Sequence, residues 1–365
     1  LQKNSDIQIL RAAAVLLVLY DHLTVLLYWG GSYRIVFDYA ATWTGVDLFF
    51  CVSGFIIARG LLEKRREETT FSAFALQFWV KRAFRIFPAA WFWLAFTLVM
   101  SLLVGAEFGS LQANLGDGIS IIGQYANLHF YNCAKGLAQC GVNGRYWSLA
   151  LEEQFYLVAP FAIFFLPLRW LPYVFGAVVA LQFGIKRDIW DPLWAFRTDA
   201  ISLGVLIAFA EGGRLHRALR PYVMLVPRLA FPALIMLMVC VKPLTQASFS
   251  MGLVAMTAGV LVFAGSYNAD RFKLPGILQS IGLYLGDRSY SLYLAHIPAY
   301  LSARHFLEWA GYQQQAIPSL ILAGVLTLAF SEASYRYVEN PFRKRGAVIS
   351  ARMATSRRSR LAAGA

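Results

Sequence analysis

Apolar residues occur along this chain in long blocks, with the polar positions gathered between them; Val223–Val241 and Ile317–Phe330 are two such blocks. Neither the period of two of a half-buried strand nor the rhythm of a surface helix organises them. Blocks approaching twenty residues read as bilayer spans, because a chain in lipid must satisfy its own backbone hydrogen bonds and a helix does so within one segment. Ten spans are expected, near 7–28, 43–62, 85–105, 147–166, 170–185, 194–210, 223–241, 248–265, 281–302 and 316–338, the fifth and sixth being the least marked. The expected fold class is therefore all-α, a polytopic membrane bundle of about ten transmembrane helices. No internal repeat and no second domain stand out. Residues 1–342 form the membrane domain, and 343–365 read as a disordered basic cytoplasmic tail, solvated or lying on anionic lipid. The longest external loop, Ala106 to Tyr146, has room for a short amphipathic helix.

Composition agrees: 58% of the 365 residues are hydrophobic and 15% charged, against about one-quarter charged in soluble domains. The net charge of +13 would raise nucleic-acid binding in a soluble protein; here it follows from the loops, and no nucleic-acid partner is expected. With the N-terminus inside, the cytoplasmic segments carry 20 Lys and Arg, among them Lys64, Arg65, Arg66, Lys81, Arg82, Arg85, Arg343, Arg357, Arg358 and Arg360. The opposite side carries 7, Arg34, Lys135, Arg145, Lys186, Arg187, Lys242 and Arg304. The positive-inside rule then puts both termini in the cytoplasm. The first apolar stretch is followed by no small-residue cleavage site, so no cleaved signal peptide is expected. The chain starts at Leu1, so an initiator Met and a few residues are expected to precede it. Cys51 and Cys240 lie in apolar runs and read as packing residues. Cys133 and Cys140 flank a polar loop, where an oxidising compartment favours a local disulfide. No metal is expected, since no CxxC and no nearby His pair exist.

Ionisable residues inside spans are costly and rare, which makes each a candidate for function. Arg11 and His22 are eleven residues apart, about three helical turns or roughly 16 Å, on nearly one face. Arg11 falls near the cytoplasmic surface and His22 in the outer half. Counting residues into each span puts Asp47, Glu152, Arg197, Asp199 and His296 in that outer layer, with Arg82 and Arg85 joining Arg11 at the inner side. Each also has a plainer explanation. Arg82 and Arg85 serve as positive-inside anchors, Glu152 as an ion-pair partner of Arg197, and His296 as a hydrogen-bonded core histidine.

Six motifs add to this. They are Arg11 to His22; Gly45-Val46-Asp47-Leu48-Phe49-Phe50 with Ser53-Gly54-Phe55; Arg82-Ala83-Phe84-Arg85-Ile86-Phe87-Pro88; Trp147-Ser148-Leu149-Ala150-Leu151-Glu152-Glu153-Gln154-Phe155-Tyr156; Ser289-Tyr290-Ser291-Leu292-Tyr293-Leu294-Ala295-His296; and Val338-Glu339-Asn340-Pro341-Phe342. In this order the chain resembles the membrane-bound acyltransferase family 3, bacterial O-acyltransferases that modify surface polysaccharides and other glycans. Cys51 stands where the family motif has Ile or Val, a change expected to be silent. Many relatives carry an additional extracytoplasmic hydrolase-like domain; none is expected here, and the resemblance then implies a stand-alone transferase.

The resemblance implies a bacterial inner-membrane enzyme with acetyl-CoA as donor and a glycan or lipid-linked glycan as acceptor. Arg11, Arg82, Arg85 and Ser53 are then the donor-binding candidates, since Arg forks match phosphate oxygens. His22 is the candidate general base, with Asp47 or Glu152 fixing its tautomer. Trp147, Arg197, Asp199, Tyr293 and His296 are candidates for the acceptor side. A covalent acyl-His or acyl-Ser53 intermediate is open. The competing functions are a transporter or flippase of a glycan lipid, and a non-catalytic subunit of a polysaccharide synthesis complex. No inverted repeat supports the first, and the second does not require His22 to stand above Arg11.

Overall fold

The computed structural model describes residues 3–26, 39–67, 70–187, 191–312 and 316–363, the side chains of 24–26, 106, 192 and 355–363 excepted. Arg34 and the side chains of Arg357, Arg358 and Arg360, counted above for orientation, lie outside the described residues. Among the described residues all regular structure is helical. The helices are α1 (Ser5–Leu26), α2 (Gly45–Arg65), α3 (Phe71–Leu103), α4 (Leu111–Ile122), α5 (Ala126–Ala134), α6 (Tyr146–Phe165), α7 (Leu171–Phe183), α8 (Asp199–Ala210), α9 (Arg214–Leu225), α10 (Ala230–Leu244), α11 (Ser250–Ser266), α12 (Ile277–Asp287), α13 (Ser289–Trp309), α14 (Ala316–Ala333) and α15 (Asn340–Ala363).

Among the described residues five helical stretches are long and apolar enough to cross a membrane: Thr42–Arg65, Phe71–Leu103, Tyr146–Phe165, Leu193–Ala210 and Ala316–Ala354. A sixth arises if α9 and α10, bent by 100° at their junction, count as one span. The expected ten are not reached by that measure, because several apolar blocks are broken. The block near 281–302 is two helices, α12 and α13, with Arg288 between them. The block near 248–265 forms a helix of only 17 residues. Conversely, α3 starts 14 residues before the expected span at 85 and runs through Pro88, so Arg82 and Arg85 sit in its first half, one turn apart. Residues 106–146 form α4 and α5, and Cys133–Cys140 is a disulfide.

The centre of the bundle is the crossing of α2 and α8, and glycine makes it possible. A Cβ at Gly54 would lie 2.1 Å from Ile201 O, and one at Gly204 would lie 2.1 Å from Cys51 O. Backbone meets backbone there, the close approach that small residues allow between membrane helices. Gly286 of α12 likewise abuts the Gln8 carbonyl of α1. The N-terminus of α1 is tied down by buried Asp6, whose carboxylate accepts from the amides of Ala269, Arg271 and Phe272.

The basic segment after Arg343 departs from expectation. A π-helical turn, Ser334–Glu339, carries α14 into α15, and the chain stays helical to Ala363 instead of disordering. Small residues at a four-residue spacing explain this: Gly346 rests on Phe84, and Ser350 Oγ donates to Gln77 O of α3 at 3.2 Å. Buried Glu339 accepts from Ser291 Oγ of α13 at 2.7 Å, which fixes the turn.

Candidate active site

The N-terminal halves of α1, α3, α6 and α13, with the first two-thirds of α2, surround a cavity. Four of its polar lining residues, Arg11, Arg82, Arg85 and Ser53, are the donor-binding candidates, and the structure brings all of them together. Glu152 joins them: it accepts from Ser53 Oγ at 3.1 Å and Tyr156 Oη at 2.5 Å. Arg82 is held by ring faces, its guanidinium 5.6 Å from the centroids of both Phe78 and Tyr156. Arg11 donates to Gln8 at 3.1 Å. Ser289, buried at the start of α13 just after the break at Arg288, also lines the wall, and among the described residues its hydroxyl meets no partner.

A second, open hollow shares Ile57, Arg82 and Arg85 with the first. Its rim carries Lys64, Lys81 and Arg343 besides the two shared arginines, against Glu63 and Glu67. Lys64 is bonded to Gln77, and Glu63 lies 3.3 Å from Arg59. A basic vestibule therefore opens into an apolar-walled cavity with Arg11 and Glu152 inside it. Lys64, Lys81 and Arg343 were not singled out by motif. Their only signal was a place in the cytoplasmic charge count.

At its other end the cavity stops at Ser148 and Tyr293, whose hydroxyls are 2.6 Å apart. Next to Tyr293 stands a histidine pair. The rings of His22 and His296 meet edge to face at 4.9 Å, and the His296 ring lies 5.8 Å from that of Tyr293. His22 Nδ1 is 2.9 Å from Val18 O, and His296 Nδ1 is 2.6 Å from Tyr293 O. A carbonyl only accepts, so each Nδ1 carries a proton, and in the neutral ring Nε2 is then the bare nitrogen. His296 Nε2 is buried and meets no partner.

This corrects two expectations. The tautomer of His22 is set by a backbone carbonyl one turn earlier in α1, not by Asp47 or Glu152. Asp47 instead pairs with Arg197 at 3.0 Å, both nearly fully buried, and the oxygens of Glu152 are taken by Ser53 and Tyr156. Glu152 therefore belongs to the donor cavity, away from the layer of Asp47 and Arg197, and is not the partner of Arg197. Arg197 also lies between Trp43 and Trp147, 5.3 Å and 5.4 Å from their centroids, and Trp147 packs on Trp194 at 4.5 Å. Asp199 binds Arg187 at 2.6 Å, so the two candidates Arg197 and Asp199 are held in separate ion pairs.

Above these groups α4 and α5 form a polar cap. Asp117 accepts from the amides of Gly141 and Asn143 and from His129 Nε2 at 3.0–3.2 Å. Burial pushes its carboxyl above the ordinary Asp range, opposed by those donors. His129, Cys133 and Cys140 present ligand-type atoms within 4.8 Å of one another. The sulfurs are bonded to each other and His129 is engaged with Asp117, so the group serves the cap's structure.

A family model described as an acyltransferase domain matches residues 4–336. The O-acetyltransferase OatA of Staphylococcus aureus (strain NCTC 8325 / PS 47) is 27% identical over 364 residues, covering 92% of this chain and 57% of the relative. The peptidoglycan O-acetyltransferase OatA of Listeria monocytogenes is 27% identical over 370 residues, covering 92% and 55%. A putative O-acetyltransferase of S. aureus (strain COL) is 28% identical over 368 residues, covering 92% and 57%. The chain thus spans a little over half the length of these curated relatives. No solved structure matches it. The six motifs fall on the walls and supports of one cavity, the family model covers nearly all of the chain, and the chain belongs to the acyltransferase-3 family.

Proposed function

We propose that this protein moves an acyl group, acetyl by preference, from cytoplasmic acyl-CoA to a hydroxyl of a glycan or lipid-linked glycan at the outer half of the bacterial inner membrane. One observation carries this: a basic vestibule continues through Arg82 and Arg85 into a cavity that ends beside a histidine pair with bare Nε2 atoms. Five cations at the vestibule suit the phosphates of CoA. The apolar walls suit the pantetheine arm, with the thioester beyond Ser53 and Glu152. His22 Nε2 takes the proton of the acceptor hydroxyl as its oxygen attacks the thioester carbonyl. The C–S bond then breaks and the proton passes to the CoA sulfur. Trp147, Trp194 and Arg197 offer flat faces and a cation for the acceptor sugar. Relatives named as O-acetyltransferases, one of them of peptidoglycan, agree with a glycan acceptor. In this reading the shorter apolar helices also cross the bilayer, giving about ten spans with both termini inside.

The test is turnover of labelled acetyl-CoA by the purified protein. His22→Gln keeps size and polarity but takes no proton near neutral pH. It should bind CoA normally and lose transfer by about 10²–10⁴-fold. Near-full turnover by a folded His22→Gln variant would reject His22 as the base. Failure of the wild type to bind acetyl-CoA would reject the function. Mass spectrometry of surface glycans from cells with and without the protein identifies the acceptor.

A further inference from the structure

Arg145 stands just before α6 and is 2% exposed, one of the largest fully buried side chains in the molecule. Its Nε and Nη2 meet no hydrogen-bond acceptor, and the rest of the guanidinium has only a long contact, 3.5 Å, from Nη1 to Val142 O and the neighbouring Tyr146 side chain. Among the described residues it forms no ion pair. The guanidinium rests on the Tyr146 ring, 4.7 Å from its centroid. The groups within its electrostatic reach are Tyr146, Tyr293, Asp117 and both imidazoles of the histidine pair. Asp117 is already engaged by the Gly141 and Asn143 amides and His129.

The position of Arg145 is tightly determined. Its carbonyl accepts from Tyr293 Oη at 2.7 Å, and Asn143, two residues earlier, is held by Asn114 and Asp117. A buried guanidinium without a carboxylate is costly, since its desolvation is not offset by a partner. Two buried guanidinium nitrogens are thus left with donors to spare, on a residue whose carbonyl holds Tyr293 next to the histidine pair; an anion present only during turnover would satisfy them.

We propose that Arg145 is a catalytic residue that binds the oxyanion of the tetrahedral intermediate. The inference rests on the acyl-transfer function proposed above. When the acceptor oxygen adds to the thioester carbonyl, the C=O π electrons move onto oxygen and the hydroxyl proton moves to His22. The oxyanion then meets Arg145. On collapse the carbonyl re-forms, the C–S bond breaks, and His22 returns the proton to the thiolate. Preorganised donors aimed at such charge in a water-poor site commonly supply the largest share of acyl-transfer catalysis.

The experiment uses the full chain in nanodiscs with Arg145→Gln and Arg145→Lys. It measures acetyl transfer to the glycan acceptor, acceptor-free hydrolysis of acetyl-CoA, and CoA affinity. Hydrolysis passes through the same oxyanion with water as nucleophile. Arg145→Gln should lower kcat for both reactions by about 10²–10³-fold, with CoA affinity and acceptor KM within about twofold of wild type. Arg145→Lys should recover part of both, and it supplies the test if Arg145→Gln does not fold. A loss confined to acceptor KM, with hydrolysis intact, would overturn the proposal in favour of a contact to an anionic group on the acceptor. Unchanged rates in folded protein would make Arg145 structural. A wild type that binds acetyl-CoA but neither transfers nor hydrolyses it removes the underlying function, and the Arg145 role with it. Inactivity of His22→Gln beside full activity of Arg145→Gln leaves that function standing and rejects this inference alone.

Discussion

Replacing Arg85 with alanine is the cleanest way to ask whether the vestibule holds CoA. Arg82 is wedged between Phe78 and Tyr156, so its loss would disturb packing as well as charge. Arg85 is half-buried at the junction of the two hollows, and among the described residues it has no ion-pair partner to strand when it is removed. One charge-assisted hydrogen bond to a phosphate is worth about 1.5–3 kcal/mol. At about 1.4 kcal/mol per decade that predicts a loss of affinity of roughly 10- to 150-fold. Calorimetry in nanodiscs with CoA, and with a pantetheine thioester lacking phosphates, separates charge from shape. Arg85→Ala should weaken CoA by that factor and the truncated thioester by much less. Wild-type affinity for CoA should also fall as salt rises, because the rim is open to solvent. A folded Arg82/Arg85 double variant with unchanged CoA affinity would refute the assignment.

Three further outcomes follow from packing and charge. Gly54→Ala or Gly204→Ala forces a Cβ onto backbone that cannot swing aside, which should cost at least about 1–3 kcal/mol; an unchanged melting temperature would mean that α2 and α8 part freely. Asp47→Asn strands Arg197 in the interior and should cost about 3–5 kcal/mol, much of it recovered when Arg197→Met is added; equal stability of the two variants would show that the pair contributes no coupling. Asp117 has a proton affinity raised above its ordinary 3.8 by burial, so its contribution to stability is full below that value and fades as pH rises through the raised pKa. The wild type should therefore lose stability relative to Asp117→Asn on going from roughly pH 4 to 8, and a constant difference across that range would contradict the sign.

Where the sequence pattern was informative, it was because one helix or one short spacing held all the information. Arg82 and Arg85, one turn apart, had to share a face of α3, and Arg11 had to lie on the face of α1 that leads toward His22. The cavity joins these three with Ser53. Cys133 and Cys140 are seven residues apart across a polar loop and could hardly reach other partners. The number of spans was less legible, because hydropathy reports burial in apolar surroundings and not helix continuity. The break at Arg288 leaves hydropathy unchanged but divides one apolar block into two helices and turns Ser289 toward the cavity. The last basic segment misled for a related reason. Lys344, Arg345 and Arg352 are exposed, while Gly346 and Ser350, unremarkable in composition, make the packing contacts.

The site shows where counting along a span stops being informative. A count of residues gives depth but not azimuth, and in a bundle the azimuth selects the partner. Glu152 was assigned by depth to the layer of Asp47 and Arg197, yet it faces Ser53 and Tyr156. Asp47 fills the place beside Arg197 instead. The protonation of His22 was sought in a carboxylate because side chains can be read from sequence; the actual acceptor is the Val18 carbonyl, which every helix offers one turn back and which no residue type announces. Arg145 was hidden by the opposite error. Assigned to a loop, it counted as one of seven external charges, although it directly precedes the Tyr146-Trp147 pair at the mouth of α6. An arginine flanked by aromatic rings at a span boundary has two fates, an anchor in the interface or a buried donor. The Tyr293 hydroxyl on its carbonyl and the histidine pair nearby decide for the second, and those contacts exist only once α13 has packed against α6.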